Sequence, residues 1–249
     1  MHRFFVSKQL KNYNTMDKTR LLSAAIIAVG IIILGLSIKG GMDNFTEKDR
    51  KVTVKGLAEQ EVKADKVTWP IVSKELGDNL PELYDRIANK QNTIKAFLVR
   101  NGVQSNEISV SAPKVIDLSA DQYNSNNHAY RYNITLVVTV TSPKVDLIRS
   151  IIARQGELLK EGVAIVGGDY DQQTVYEYVG FKKMKPKMMA EAIENAEATA
   201  QQFAKNSNSK LNKIVSADQG QFSIDDRDAN TPYIKRVRVV TTVTYSLKD

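Results

Sequence analysis

Cysteine is absent from the 249 residues, and histidine occurs only twice. Without cysteine there is no disulfide, no thiol nucleophile, no thiolate metal site and no lipoprotein anchor, so a folded part outside the cytoplasm must be held by its core alone. The two histidines, His2 and His128, allow no His-x-x-x-His pairing, and a metal needs two or three ligands in matched geometry. Excess positive charge is also scarcer than the formal +7 implies. Residues 1–20 hold Arg3, Lys8, Lys11, Lys18 and Arg20 against Asp17 alone, which leaves the remainder of the chain at only +3. A folded part so nearly balanced does not call for a nucleic-acid partner.

What the chain does have is one long apolar run, Leu21 to Ile38, without charge or proline. As a helix it reaches about 27 Å, close to the roughly 30 Å of a bilayer's hydrocarbon core. The cationic flank before it holds the N-terminus in the cytoplasm by the positive-inside rule. The expected layout is a cytoplasmic tail over 1–20, a transmembrane signal-anchor over 21–38 with the lipid bilayer as partner, and everything after Lys39 on the far side. That describes a single-pass membrane protein with its C-terminal domain outside the cytoplasm. The second reading is a cleaved signal peptide and secretion, with Gly35 and Ser37 as the small residues of the cleavage site. A buried helix of a soluble domain fits less well, because the run is apolar on every face.

Residues 39–51 are polar, contain Gly40-Gly41, and read as a linker. From Val52 the pattern becomes that of a folded domain, 52–249. Val52, Val54, Ala58 and Val62 alternate as on a half-buried strand, with Gly56 as a bulge or bend. Asp65-Lys66 is a turn. Val67 to Val72 is a second strand, and Pro70 argues for an edge position. Asp78-Asn79 with Pro81 starts a helix whose face is Leu83, Ile87, Ile94 and Leu98, and Asn101-Gly102 ends it. A strand over about 107–118 and a polar loop over 121–128 follow. Tyr130, Tyr132, Ile134, Leu136, Val138 and Val140 then alternate with polar residues in the clearest strand of the chain.

Ser142-Pro143 opens a helix over roughly 143–158 with Val145, Ile148, Ile151, Ile152 and Leu159 apolar. Strands are read at Val163 to Val166 and Val175 to Val179. The longest helix runs from about Lys185 to Asn206, where Ala192, Ala196, Ala200 and Ala204 recur every fourth residue, a small-residue stripe suited to close packing on a sheet. Ile214 to Phe222 and Lys235 to Leu247 are the last strands. The fold class is α+β: antiparallel sheets with helices packed on one face, as one domain or as two subdomains dividing near Ser142.

Several segments together carry a resemblance. They are Val54-Lys55-Gly56-Leu57-Ala58-Glu59, Glu61-Val62-Lys63-Ala64-Asp65, Trp69-Pro70, Lys185-Pro186 with the alanine helix, Ala217 to Ile224, and Lys235 to Thr242. In this order and spacing the chain resembles the SIMPL-domain proteins, which include a periplasmic protein linked to oxidative stress and a ring-forming antigen of pathogenic bacteria. The resemblance covers essentially all of 52–249 and implies an exported α+β domain of a bacterial envelope, so that the expected location is the inner membrane, single-pass, with the C-terminal domain in the periplasm. It brings no established catalytic residues. Where relatives carry Gly after the alanine helix this chain has Asn212, which tolerates a left-handed backbone.

Chemistry-bearing residues are few. His128 near Asp121 reads as solvated loop. Asp225-Asp226-Arg227-Asp228 lacks the glycine and terminal glutamate of a calcium loop and reads as a solvated turn. Gly167-Gly168-Asp169 is a turn without phosphate-loop context. Glu59 and Asp65 are acids within the family-like motif, and a paired-carboxylate hydrolase would need them facing across one cleft. Lys235-Arg236 with Arg238 reads as a basic strand edge, either guarding against edge pairing or touching anionic lipid or wall polymer. The expectation is a non-enzymatic, envelope-facing protein without metal or cofactor. Its role is structural, in assembly or stress protection, with a homo-oligomer as partner. The alternative is an extracytoplasmic domain binding a small ligand or envelope polymer.

Overall fold

The computed structural model describes residues 20, 22–39, 41, 50–120, 129–167 and 172–248. His2, the cations before Arg20, most of the linker, His128 with its loop, and Gly168-Asp169 lie outside the described residues.

Helix α1, Leu22–Lys39, has a mean hydropathy of 2.3, and none of it is buried against the protein. After it come β1 (Lys51–Lys63), β2 (Lys66–Gly77), α2 (Leu80–Arg100), a 3-10 turn at Ser105–Glu107, β3 (Ile108–Val110), β4 (Lys114–Asp117) and β5 (Tyr132–Ser142). Then follow α3 (Val145–Ala153), α4 (Gly156–Lys160), β6 (Val175–Glu177), α5 (Phe181–Asn206), β7 (Lys210–Asp226) and β8 (Ile234–Lys248). The fold is α+β, with a three-stranded sheet ordered β1-β8-β7 and a five-stranded sheet ordered β3-β5-β2-β6, in which β4 also pairs with β5.

Two compact units make up the chain. The first comprises Met1–Gly56, Ile193–Gln219 and Thr241–Asp249; the second comprises Leu57–Ala192 and Gly220–Val240. Both sides of Ser142, the expected division point, fall in the second unit. The helix that follows Ser142 packs Val145, Ile148 and Ile151 into the same core that β5 lines.

That core belongs to the five-stranded sheet. β2 and β5 pair antiparallel one-to-one, from Val67 opposite Ser142 to Gly77 opposite Tyr132. The alternation expected of β5 holds: Ile134, Leu136, Val138 and Val140 are buried, joined by Trp69 and Ile71 of β2 and by Leu83, Ile87, Ile94, Phe97 and Leu98 of α2. α2 begins as its sequence requires, with Asn79 as N-cap and Pro81 in the first turn, and it ends at Gly102 with φ +92°.

The strand bearing Pro70 is not an edge strand, since β2 lies between β5 and β6. Yet β6 pairs only with Lys66 to Thr68. Val72, of the same parity as Pro70, accepts from Val166 N–H on the side away from β5. Pro70 therefore turns its donor-less nitrogen to that side, past the end of β6, where no ladder bond is lost.

Other elements differ from expectation for local reasons. The single strand of 107–118 is a 3-10 turn and two short strands, interrupted at Pro113, which has no N–H to give β5. The helix of 143–158 is broken at Arg154-Gln155 before Gly156. The break shifts the helical phase, so that Leu158 is buried and Leu159 is 66% exposed. Val163 to Val166 is not a strand; Val163 N–H bonds the Leu158 carbonyl of α4 and Val166 N–H bonds the Val72 carbonyl.

In the three-stranded sheet numbering rises along β1 as it falls along β8. Leu247 N–H bonds Arg50 carbonyl and Ala64 N–H bonds Tyr233 carbonyl, both at 2.9 Å. The interval from Arg50 to Ala64 equals that from Tyr233 to Leu247. No extra residue is inserted, so Gly56 is not a bulge; it is a buried strand position. β8 alternates as expected and is the central strand, so its basic residues do not guard an edge. The alanine stripe of α5 is buried throughout. In the first unit Ala196 and Ala200 pack with Val54, Val243 and Tyr245. In the second, Met188 and Ala192 pack with Ala58, Val237 and Val239. The left-handed residue after α5 is Asn208, φ +53°, and not Asn212, which already lies in β7. The helix ends at Asn206, so the reversal must come at once.

Candidate functional site

Lys63-Ala64-Asp65 carries the chain from β1 in one sheet to β2 in the other. Ala64 N–H bonds Tyr233 carbonyl and Asp65 N–H bonds Glu177 carbonyl, each at 2.9 Å. The Asp65 carboxylate accepts from Val179 N–H at 2.6 Å through Oδ1 and from Gly180 N–H at 2.7 Å through Oδ2. These donors lie immediately before Phe181, so the carboxylate sits at the start of α5, where the helix dipole favours negative charge. A Cβ on Gly180 would stand 2.8 Å from Asp65 Oδ2, which leaves glycine as the residue that admits this approach.

Beside Asp65 opens a cleft of about 440 Å³ in the second unit. Its walls are Lys63, Asp65, Lys144, Asp146 and Tyr233, with Val145 and Leu147 as apolar surface. Just before the lining residues Pro143 and Lys144, the Ser142 hydroxyl donates to Glu107 Oε1 at 2.8 Å and accepts from Lys144 N–H at 3.0 Å, fixing the entry to α3. Burial alone would raise the Glu107 pKa, but hydrogen bonds from Gln104 N–H and the Ser142 hydroxyl, with the charge of Lys144, lower it on balance. The Arg149 guanidinium stacks 3.3 Å from the Tyr233 ring centroid, and Tyr176 meets that ring edge-on at 6.2 Å. Burial raises the Tyr176 pKa. Lys63 Nζ reaches Asp146 Oδ2 at 3.5 Å, an exposed pair of little stabilising value. The cleft thus presents two ammonium groups and two carboxylates around an apolar floor, equipment for holding a small polar molecule by charge and contact.

Glu59 and Asp65 are not brought together. Glu59 pairs with Arg236 at 3.5 Å. Asp65 is six positions further along, about 20 Å at strand rise, beyond the separation of a glycosidase pair. Asp225 to Asp228 closes the β7–β8 hairpin. Asp226 pairs with Lys235, and Asp228 accepts from Asn230 N–H, Thr231 N–H and the Thr231 hydroxyl. Among the described residues no three acids or histidines converge as metal ligands. Of the basic trio, Lys235 and Arg236 are occupied by Asp226 and Glu59, and Arg238 is exposed. The stacking of Arg149 on Tyr233, and the meeting of Lys144 and Asp146 with Lys63, had no sequence signal. They depend on which loops the two sheets bring together.

No curated protein matches the chain. The family model described as SIMPL, protein of unknown function (DUF541), matches residues 52–245. That span takes in both sheets, the Asp65 clamp and the alanine stripe, and the chain belongs to the SIMPL family.

Proposed function

We propose that this is a membrane-anchored, envelope-facing SIMPL protein whose role is structural, in assembly or stress protection, without catalysis. The observation that carries the reading is α1: eighteen residues, apolar on all sides, none of them buried. Such a helix in water would expose its whole surface, whereas a bilayer satisfies it. The positive flank before it supports an N-terminus in the cytoplasm and a folded part outside. Assembly into homo-oligomers draws support from the edge strand β7, whose residues 212–219 are all exposed, Ile214 and Val215 among them, since an open edge invites pairing. The basic β8 strand is central and supports no such role. Three measurements test the reading. An alkaline phosphatase fusion after Asp249 is active, the protein resists carbonate extraction, and crosslinking in membranes gives defined multimers. An inactive fusion made in good yield sinks the topology. Monomers at all concentrations move the reading to the second one, an extracytoplasmic ligand-binding domain, which the mixed-charge cleft beside Asp65 favours.

A further inference from the structure

We infer that one end of the first unit is a docking surface for the acidic phospholipid headgroups of the membrane that α1 spans; this rests on the anchor reading above. Three segments meet there: the start of β1, the turn from α5 into β7, and the end of β8. Leu247 N–H bonds Arg50 carbonyl at 2.9 Å, Arg50 Nη2 donates to Ser209 Oγ at 2.8 Å, and the Ser246 hydroxyl donates to Lys213 carbonyl at 3.2 Å. These contacts gather Arg50, Lys51, Lys205, Lys210, Lys213 and Lys248, all exposed. Residues 50–56, 198–217 and 241–248 contain no aspartate or glutamate. Among the described residues none of the five lysines is held in an ion pair, so their ammonium groups face solvent.

The turn sets two of these lysines beside one open recess. Asn208 at φ +53° reverses the chain, so that Lys205 and Lys210 line one recess of about 370 Å³ with Asn208 and Ser209. The occupant follows from chain continuity. Arg50 lies eleven residues beyond Lys39, the end of α1. Fully extended, that stretch reaches about 40 Å at most. The patch begins at Arg50 itself, so the charge is tethered within reach of the surface that α1 enters. Exposed cations held beside a bilayer are attracted by anionic headgroups of the leaflet they face, over a range set by the Debye length. The basic trio on β8 is largely paired internally, so a lipid contact belongs at this end.

The full chain reconstituted into lipid nanodiscs tests this. Because cysteine is absent, Ser207→Cys, beside the recess, gives one fluorophore site, with a headgroup spin label as quencher. Quenching is expected to be strong in discs containing phosphatidylglycerol, weak in phosphatidylcholine alone, and abolished by high salt. Lys205→Gln with Lys210→Gln should weaken the docking equilibrium about thirtyfold; the milder Lys213→Gln alone should give a smaller loss, about fivefold, and unchanged melting shows that the fold persists. Equal quenching in neutral and acidic discs, with the chain embedded in both, overturns the inference and leaves the anchor standing. A chain that never enters the disc overturns the anchor reading and this inference together. The acids of the linker, Asp43, Glu47 and Asp49, are present in the full chain, so their opposing charge is included in the outcome.

Discussion

Under α2 and α3 the five-stranded sheet is filled with Phe97, Leu83, Ile87, Ile94, Ile134, Leu136 and Ile148, all fully buried. Under α5 the three-stranded sheet meets Ala192, Ala196 and Ala200, with Gly56 and Ala58 among the strand residues facing inward. One layer is built by volume and the other by closeness. Large side chains bury more apolar area per residue, so the first layer contributes more hydrophobic stabilisation. The second gains from close backbone approach and is intolerant of anything bigger. The two should therefore fail in opposite ways: one when material is removed, the other when it is added.

The largest expected effect is on the first layer. Phe97→Ala removes a fully buried ring and should destabilise by about 3–5 kcal/mol. Trp69, the sole tryptophan, sits in the same core and reports denaturant unfolding of this layer directly. A midpoint that does not move would mean the core can collapse around the loss, and the contrast with α5 would weaken.

Next comes Ala196→Leu. It adds volume where the helix lies against Val54 and Val243, at a cost of about 1–3 kcal/mol from overpacking. Hydrogen exchange along α5 should show the loss, while Phe203→Ala, on a residue 57% exposed, should change little. If the two variants behave alike, close packing is not what holds α5.

Both layers were legible in sequence because each has a strict period. The run of apolar residues in β5 and the alanine spacing of α5 announce which face turns inward. What could not be read was anything decided by partner choice. Pro70 argued for an edge strand, and the strand proved interior, because the length of β6 lies nowhere near Pro70 in sequence. The basic residues of β8 looked like edge guards, and the strand proved central, because β1 is more than 170 residues away along the chain. Asn212 was a sound choice by residue type, but the end of α5 lies four residues before β7, and Asn208 takes the turn. The cleft was half legible: Lys63 to Asp65 stood out as a motif, whereas Tyr233 and Asp146 join it only through tertiary structure.

Asp65 tests the seam between the sheets. Asp65→Ala removes the acceptor for Val179 and Gly180 at the start of α5, a loss of about 0.5–2 kcal/mol if it behaves as a helix cap. Faster exchange at Val179, Gly180 and the first turn of α5 should accompany it, with Asp65→Asn intermediate because one oxygen remains.

The smallest effects distinguish the turns beside the two sheets. Asp117, at the end of β4, is held at about 2 against an ordinary 3.8, first by hydrogen bonds from Arg131 and then by those from Ser119. Asp228, in the β7–β8 hairpin, is also held at about 2, but first by the Thr231 hydroxyl and only then by Arg227. Both folded-state values lie below the unfolded one, so each contributes stability above about pH 4 that is lost as pH falls through about 2. The carboxylates are exposed, and the contribution of each is small. Carboxyl carbon shifts followed through an acid titration separate the causes. Arg131→Gln should return Asp117 toward the ordinary carboxylate range and leave Asp228 alone, and Thr231→Val should do the reverse. Added salt screens an ion pair more than a hydrogen bond from a neutral hydroxyl, so it should raise Asp117 more than Asp228. Equal salt responses would mean that Arg227, and not Thr231, governs the hairpin acid.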